Sequence, residues 1–313
     1  MKANSSVTAL RPEAVPARVS ARLSSGRPAN GLAWGALGIL AFSLTVPMTR
    51  IAVQGGLDAA LVGTGRAVVA AALVGVALLV FRPPRPRGRQ WLSLAVVAFG
   101  VVLGFPVLTS LALRSVEASH AAVVIALLPA VTAVLSCLRT GERPRRRFWW
   151  AAGLGAAAAL GFTLLQGGGL GTLRPADLLL LAAVVCCAAG YAEGGVLSRS
   201  LGSWQTISWA LVLAAPLTLV LSAQRLASGW PQAEPQAWLA FGYLAAVSMF
   251  LGFLAWYRGL ALGPLVQVSQ VQLAQPLLTL AWLVLLLGEH VGVLTVVGGC
   301  VVLLCTAIAV RSR

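Results

Sequence analysis

The feature that most constrains this chain is a succession of ten apolar runs, each about 18 to 25 residues long, separated by short polar links. As helix, such a run matches the hydrocarbon thickness of a bilayer. The runs fall at roughly Gly31–Val53, Ala59–Phe81, Trp91–Leu113, His120–Leu138, Phe148–Gln166, Asp177–Leu197, Trp204–Ala223, Ala237–Tyr257, Leu265–Leu287 and Val291–Val310. A large soluble α/β core would need polar faces on its helices, and about 25% charged residues is usual in soluble domains. Here only 10% are charged and 59% are hydrophobic. With a mean hydropathy of +0.89, no water-soluble fold hides this much apolar surface. The expected fold class is all-α, a polytopic membrane protein of ten transmembrane helices.

The net charge of +15 would suit nucleic acid if the basic residues formed one patch. They lie instead in short clusters between apolar runs, the pattern that sets membrane topology. With the N-terminus inside, 18 basic side chains fall on the cytoplasmic side, among them Arg82, Arg85, Arg87, Arg89, Arg143, Arg145, Arg146 and Arg147. Four fall outside: Arg50, Arg114, Arg174 and Arg225. This bias requires an even number of spans and puts both termini in the cytoplasm. Residues 1–30 have the Arg/Ser-rich look of a transit peptide, but read better as a disordered basic cytoplasmic tail. The five cysteines lie inside apolar runs with no C-x-x-C spacing, so neither a disulfide framework nor a metal site is expected.

One phrase occurs twice. Pro129 leads through an apolar stretch to Gly141-Glu142, and Pro276 leads through another to Gly288-Glu289. The two are displaced by 147 residues (276 − 129). The same offset carries Arg27–Asn30 ("RPAN") onto Arg174–Asp177 ("RPAD"), and Trp91 onto Trp238. The chain therefore reads as two copies, 31–173 and 174–313, of five spans each. Five is odd, so the second copy enters the membrane from the opposite side. That makes an inverted repeat, an architecture of secondary transporters with a central midplane site.

The Pro, apolar run and Gly-Glu pattern closing the fourth span of each half ("LRTGERP", "LLLGEHV") resembles the EamA family of the drug/metabolite transporter superfamily. "GRAVVAAALVGVALLV" is similar to its second span, which often carries an arginine, here Arg66. "WLAFGYLAAVSMFLGFLAWYRGLALG" is similar to its eighth. The third span departs from the pattern, with Phe105-Pro106 and Arg114 where small and aromatic residues are commoner. The resemblance implies transport of small organic metabolites, such as amino acids, across the cell (inner) membrane, with export favoured. The expected partners are a small-molecule solute and lipid, not nucleic acid, with coupling to protons or to no ion, in a monomer or a homodimer.

Polar groups inside hydrocarbon are costly and mark pathways or partners. Arg66 lies about 12 Å below the outer face and Glu193 about 24 Å, so the two are not expected to touch. Arg66 is a candidate anchor for a substrate carboxylate, or is held by backbone carbonyls or snorkels outward. Glu193 is a candidate cation or proton site, or a partner of Arg258. Gln267, Gln270, Gln272 and Gln275 precede Pro276, and Gln272 with Gln275 share a face. These two are the candidate cavity pair, or bond between helices. Pro129 and Pro276 each remove a helical hydrogen bond, as candidate hinges at matching depth. Pro47 and Pro106 would kink their own spans. His120, at the outer start of its span, is a titratable candidate or a solvated interfacial residue. Trp34, Trp256 and Tyr257 read mainly as interfacial aromatics. Glu142 and Glu289 read as capping or pairing groups.

No cofactor is expected. "GLGAAAALG" (Gly153–Gly161) follows no strand, and Gly153, Ala157 and Gly161 form a small-residue packing stripe. An intramembrane enzyme would need paired carboxylates, a metal cluster or a nucleophile with its base. Arg66 and Glu193 are too sparse for that. A non-transporting membrane sensor or scaffold is the remaining rival.

Overall fold

The computed structural model describes residues 28–140, 146–147, 149–150, 153–154, 157–158, 174–227, 229–262, 271–289 and 292–311. Its elements, in chain order, are α1 (Pro28–Ser43), α2 (Thr45–Gln54), α3 (Ala59–Phe81), α4 (Gln90–Val97), a π-helical segment (Ala98–Gly104) and α5 (Phe105–Ala112). Then come α6 (Ala118–Ile125), α7 (Leu128–Thr140), α8 (Pro175–Leu201), α9 (Ser203–Leu226) and α10 (Pro235–Tyr243). A second π-helical segment (Leu244–Leu251), α11 (Gly252–Leu262), a 3₁₀ turn (Gln272–Ala274), α12 (Gln275–Leu287) and α13 (Val293–Arg311) complete them.

Among the described residues, seven helices are long and apolar enough to cross a membrane: Asn30–Gln54, Ala59–Phe81, Gln90–Ala112, Ala118–Arg139, Pro175–Leu201, Ser203–Leu226 and Pro235–Leu262. Each matches an expected span to within a few residues. Two shorter apolar helices, Gln272–Leu287 and Thr295–Cys305, fall where the last two were expected. The expected span Phe148–Gln166 lies mostly outside the described residues, as do Glu142, Gln267 and Gln270. The surface is apolar: Leu79, Phe81, Leu239 and Leu285 are each more than 70% exposed. A bundle with that exterior is built for lipid.

The packing follows the 147-residue offset. α1 packs on α11, and α8, which corresponds to α1, packs on α5, which corresponds to α11, and on the π segment before it. α3 packs on α9, its own counterpart, and α6 packs on α12, the counterpart of α7. The contacts thus have the reciprocity of a two-fold. Small residues permit the closest crossings. A Cβ added to Gly259 would lie 2.6 Å from the Gly35 nitrogen and 3.0 Å from the Gly31 carbonyl oxygen. Where α8 crosses the first π segment, one on Gly190 would lie 2.6 Å from a Val101 methyl. Buried hydroxyl pairs cross between halves: Thr64 with Ser222 at 2.9 Å and Thr45 with Ser248 at 2.8 Å.

The second Gly-Glu phrase has a structural reading. Gly288 adopts a left-handed conformation (φ 62°) that ends α12. Glu289 then reaches back to the start of α6. Its carboxylate accepts from the backbone N–H of Ala118 (3.3 Å) and Ser119 (3.1 Å). These are unsatisfied first-turn donors at the positive end of the helix dipole.

Candidate functional site

Five places in the described spans depart from regular α-helix: the turn at Leu44, the two π segments, the break at Ala126–Leu127 and the 3₁₀ turn before α12. The offset relates them in part. The first π segment shifted by 147 residues is 245–251, against an observed 244–251. The break at 126–127 shifts to 273–274, inside the 3₁₀ turn. Each departure contributes to one cavity. Phe42, Thr45 and Val46 flank the first, Val101 lies in the second, and Ile125 and Leu128 flank the third. Ser248 and Met249 come from the fourth and Gln272 from the fifth. Irregular backbone at membrane depth is tolerated where it lines a cavity or is buried in protein.

The cavity holds about 650 Å³ of empty space between side chains, part of it continuous with solvent. Little of it is wide enough for the centre of a water molecule, so an organic solute must spread the walls. One wall is aromatic: Phe42 and Phe253 have ring centroids 4.8 Å apart, and Tyr191 lies 5.9 Å from Phe253. The polar lining includes Arg66 from α3, Gln272 from the 3₁₀ turn, Gln275 and Thr279 from α12, and the Thr45–Ser248 pair. Thr279 donates to the Ser43 carbonyl at 2.9 Å, tying α12 to the end of α1.

Three of these side chains have atoms without a hydrogen-bond partner in the protein: Nε and Nη1 of Arg66, Nε2 of Gln272 and Oε1 of Gln275. Arg66 is 1% exposed, among the largest fully buried side chains. A buried guanidinium with free donors is a costly arrangement that an incoming anion relieves.

Of the residues singled out in the sequence, Arg66, Gln272, Gln275, Pro129 and Pro276 meet around this cavity. Glu193 and His120 do not line it. The partner of Glu193 is Arg139, at 2.5 Å, with Ser93 also donating to it at 2.5 Å. Arg258, the partner expected for Glu193, instead stacks over the Trp34 ring, 4.6 Å from its centroid. The geometric reason is register: Arg139 ends α7 beside Glu193 on α8, whereas α11 directs Arg258 toward α1. His120 is buried, not solvated, and pairs with Asp177 at 2.6 Å; Asp177 is fully buried. Trp256 and Tyr257 are buried too, because α11 crosses α1 and α8 there, and the Tyr257 hydroxyl donates to the Gly190 carbonyl at 3.2 Å. The described cysteines form no disulfide, and no cluster of His, Cys, Asp or Glu among the described residues could hold a metal.

Thr45, Ser248 and the aromatic wall were not singled out. Thr and Ser in an apolar run look like ordinary packing residues, and only the offset, which puts Ser248 inside the second π segment, hints otherwise.

Comparison with known proteins agrees with this architecture. The model of the EamA-like transporter family matches twice, over residues 29–164 and 174–311. The chain is 46% identical over 282 residues to an uncharacterized transporter, YdeK, of Bacillus subtilis (strain 168), covering 90% of this chain and 97% of that one. A solved crystal structure shares the fold with a TM-score of 0.63 at 21% identity, covering 90% of this chain and 98% of the other. This multi-pass helical bundle, matched twice by one family model, belongs to the EamA-like transporter family of the drug/metabolite transporter superfamily.

Proposed function

We propose that the chain is a secondary transporter that exports a small organic metabolite by alternating access. In this reading ten helices form two inverted halves, 31–173 and 174–313, with both termini cytoplasmic in the cell (inner) membrane. The reciprocal packing of α1 on α11 and of α8 on α5 supports it. So does the bias of basic residues to one set of loops.

Arg66, Gln272 and Gln275 bind the solute. Pro129 and Pro276, each just beyond a helix break, let the cavity walls move. Glu193 and His120 act away from the solute. The His120–Asp177 pair fastens α6 to α8, and the Arg139–Glu193 pair fastens α7 to the same helix nearer its other end. Breaking one and keeping the other would open the cavity to one side.

The observation that carries the proposal is the buried, incompletely bonded Arg66 in a cavity built where five spans depart from regular helix. The test is flux of a solute panel (amino acids, organic acids, nucleosides, organic cations) into liposomes holding the purified protein. Saturable flux that needs the protein is expected. Folded protein that moves none of the panel would favour a sensor or scaffold.

A further inference from the structure

We propose that the solute is a monoanion, an organic carboxylate with an apolar, ring-sized body, rather than a zwitterion or a cation. The inference rests on the transporter reading above and narrows its solute class. It comes from charge accounting. Arg66 is a fully buried cation on the cavity, with Nε and Nη1 unbonded. No carboxylate lines the cavity with it.

The chain has eight acidic residues, and six of them lie elsewhere in the described residues. Asp58 caps α3 through the Leu61 N–H at 3.0 Å. Asp177 is held by His120, Glu193 by Arg139 and Ser93, and Glu289 by the start of α6. Glu117 and Glu234 are exposed. The remaining two, Glu13 and Glu142, fall outside the apolar runs of the sequence. The cavity therefore carries one positive charge that the protein does not balance.

Burying a charge is tolerable when it is paired and hydrogen-bonded. A monocarboxylate supplies the missing partner, and a guanidinium fork suits its two oxygens. Gln272 Nε2 offers another donor on the same cavity. A zwitterion would bring an ammonium group beside the arginine with no acid to receive it, and a cation would add like charge. The Gln275 Oε1 acceptor suits a neutral hydroxyl. Phe42, Tyr191 and Phe253 give the apolar body a flat wall.

The test uses three probes of matched skeleton: 3-phenylpropionate, phenylalanine and phenethylamine, with net charges −1, 0 and +1. Binding to the purified full chain is measured calorimetrically in sulfate-balanced buffer, with chloride titrated separately. The acid should bind at least about 10-fold more tightly than either amine-bearing probe. Arg66→Gln should weaken the acid by roughly 100-fold, the order of loss seen when one partner of a buried charge pair is removed. Without ligand, Arg66→Gln should unfold at the same temperature or higher, because it deletes an unbalanced buried charge; Arg66→Met should behave alike. Phenylalanine or phenethylamine binding as well as the acid overturns the inference, and so does binding of none of the three. Chloride matching the acid overturns it as well. Flux of a zwitterion in the liposome panel would sink the charge argument and leave the transporter reading standing.

Discussion

Replacing Gly259 by alanine tests the close crossing of α11 on α1. The new Cβ would sit 2.6 Å from the Gly35 nitrogen, 2.9 Å from its Cα and 3.0 Å from the Gly31 carbonyl oxygen. Ordinary contact needs about 3.5 Å or more, so α11 and α1 must part by about 1 Å. All three obstacles are backbone, and no rotamer change relieves them. Overpacking of this kind costs about 1–3 kcal/mol. Three backbone obstacles put the cost in the upper half of that range, about 2–3 kcal/mol; the alanine recovers about 0.5–1 kcal/mol of helix propensity, which leaves a net loss of about 1–2.5 kcal/mol. Gly75→Ala is the control: nothing lies within 4 Å of its added Cβ, so only the propensity gain remains. Thermal unfolding of both variants in detergent should shift in opposite directions. A Gly259→Ala protein that melts at or above the parent temperature would refute the close crossing and the reasoning built on it.

Three further outcomes follow from the same geometry. Glu289→Ala removes the acceptor for the Ala118 and Ser119 amides, a loss of about 1 kcal/mol by analogy with a lost N-cap; hydrogen exchange at those two amides should quicken about 5-fold. Pro129→Ala combined with Pro276→Ala should slow transport in liposomes while leaving solute affinity within a few-fold, and unchanged transport would remove the hinge role. Tags placed beside Glu142 and beside Glu289 should be reached by impermeant reagents from opposite faces of the membrane; a common face would end the inverted arrangement.

Much of this was legible in the sequence because bilayer physics leaves few choices. Apolar runs of spanning length must be helices, and the boundaries of α3 were read to the residue. The irregular backbone was half legible. Pro47, Pro106, Pro129 and Pro276 each follow a departure from helix by two or three residues. The π segment at Leu244–Leu251 has no proline, and only its displaced counterpart at Ala98–Gly104 signals it. The ion pairs were the hardest to read. Glu193 with Arg139 and His120 with Asp177 join residues 54 and 57 positions apart, and their pairing depends on the rotation of α8 against α6 and α7. Hydropathy fixes depth in the membrane but not that rotation. For that reason Arg258 was as reasonable a partner for Glu193 as Arg139, until the packing of α11 on α1 turned it toward Trp34.

The central claim is one cavity reached in turn from the two faces of the membrane. The most direct measurement places a single cysteine at Gln272, with the five native cysteines replaced, in sealed vesicles of known orientation. An impermeant maleimide is then added from one side or the other. The account predicts labelling from either side, with saturating solute slowing both. Labelling from one side alone, whatever the solute, would contradict it.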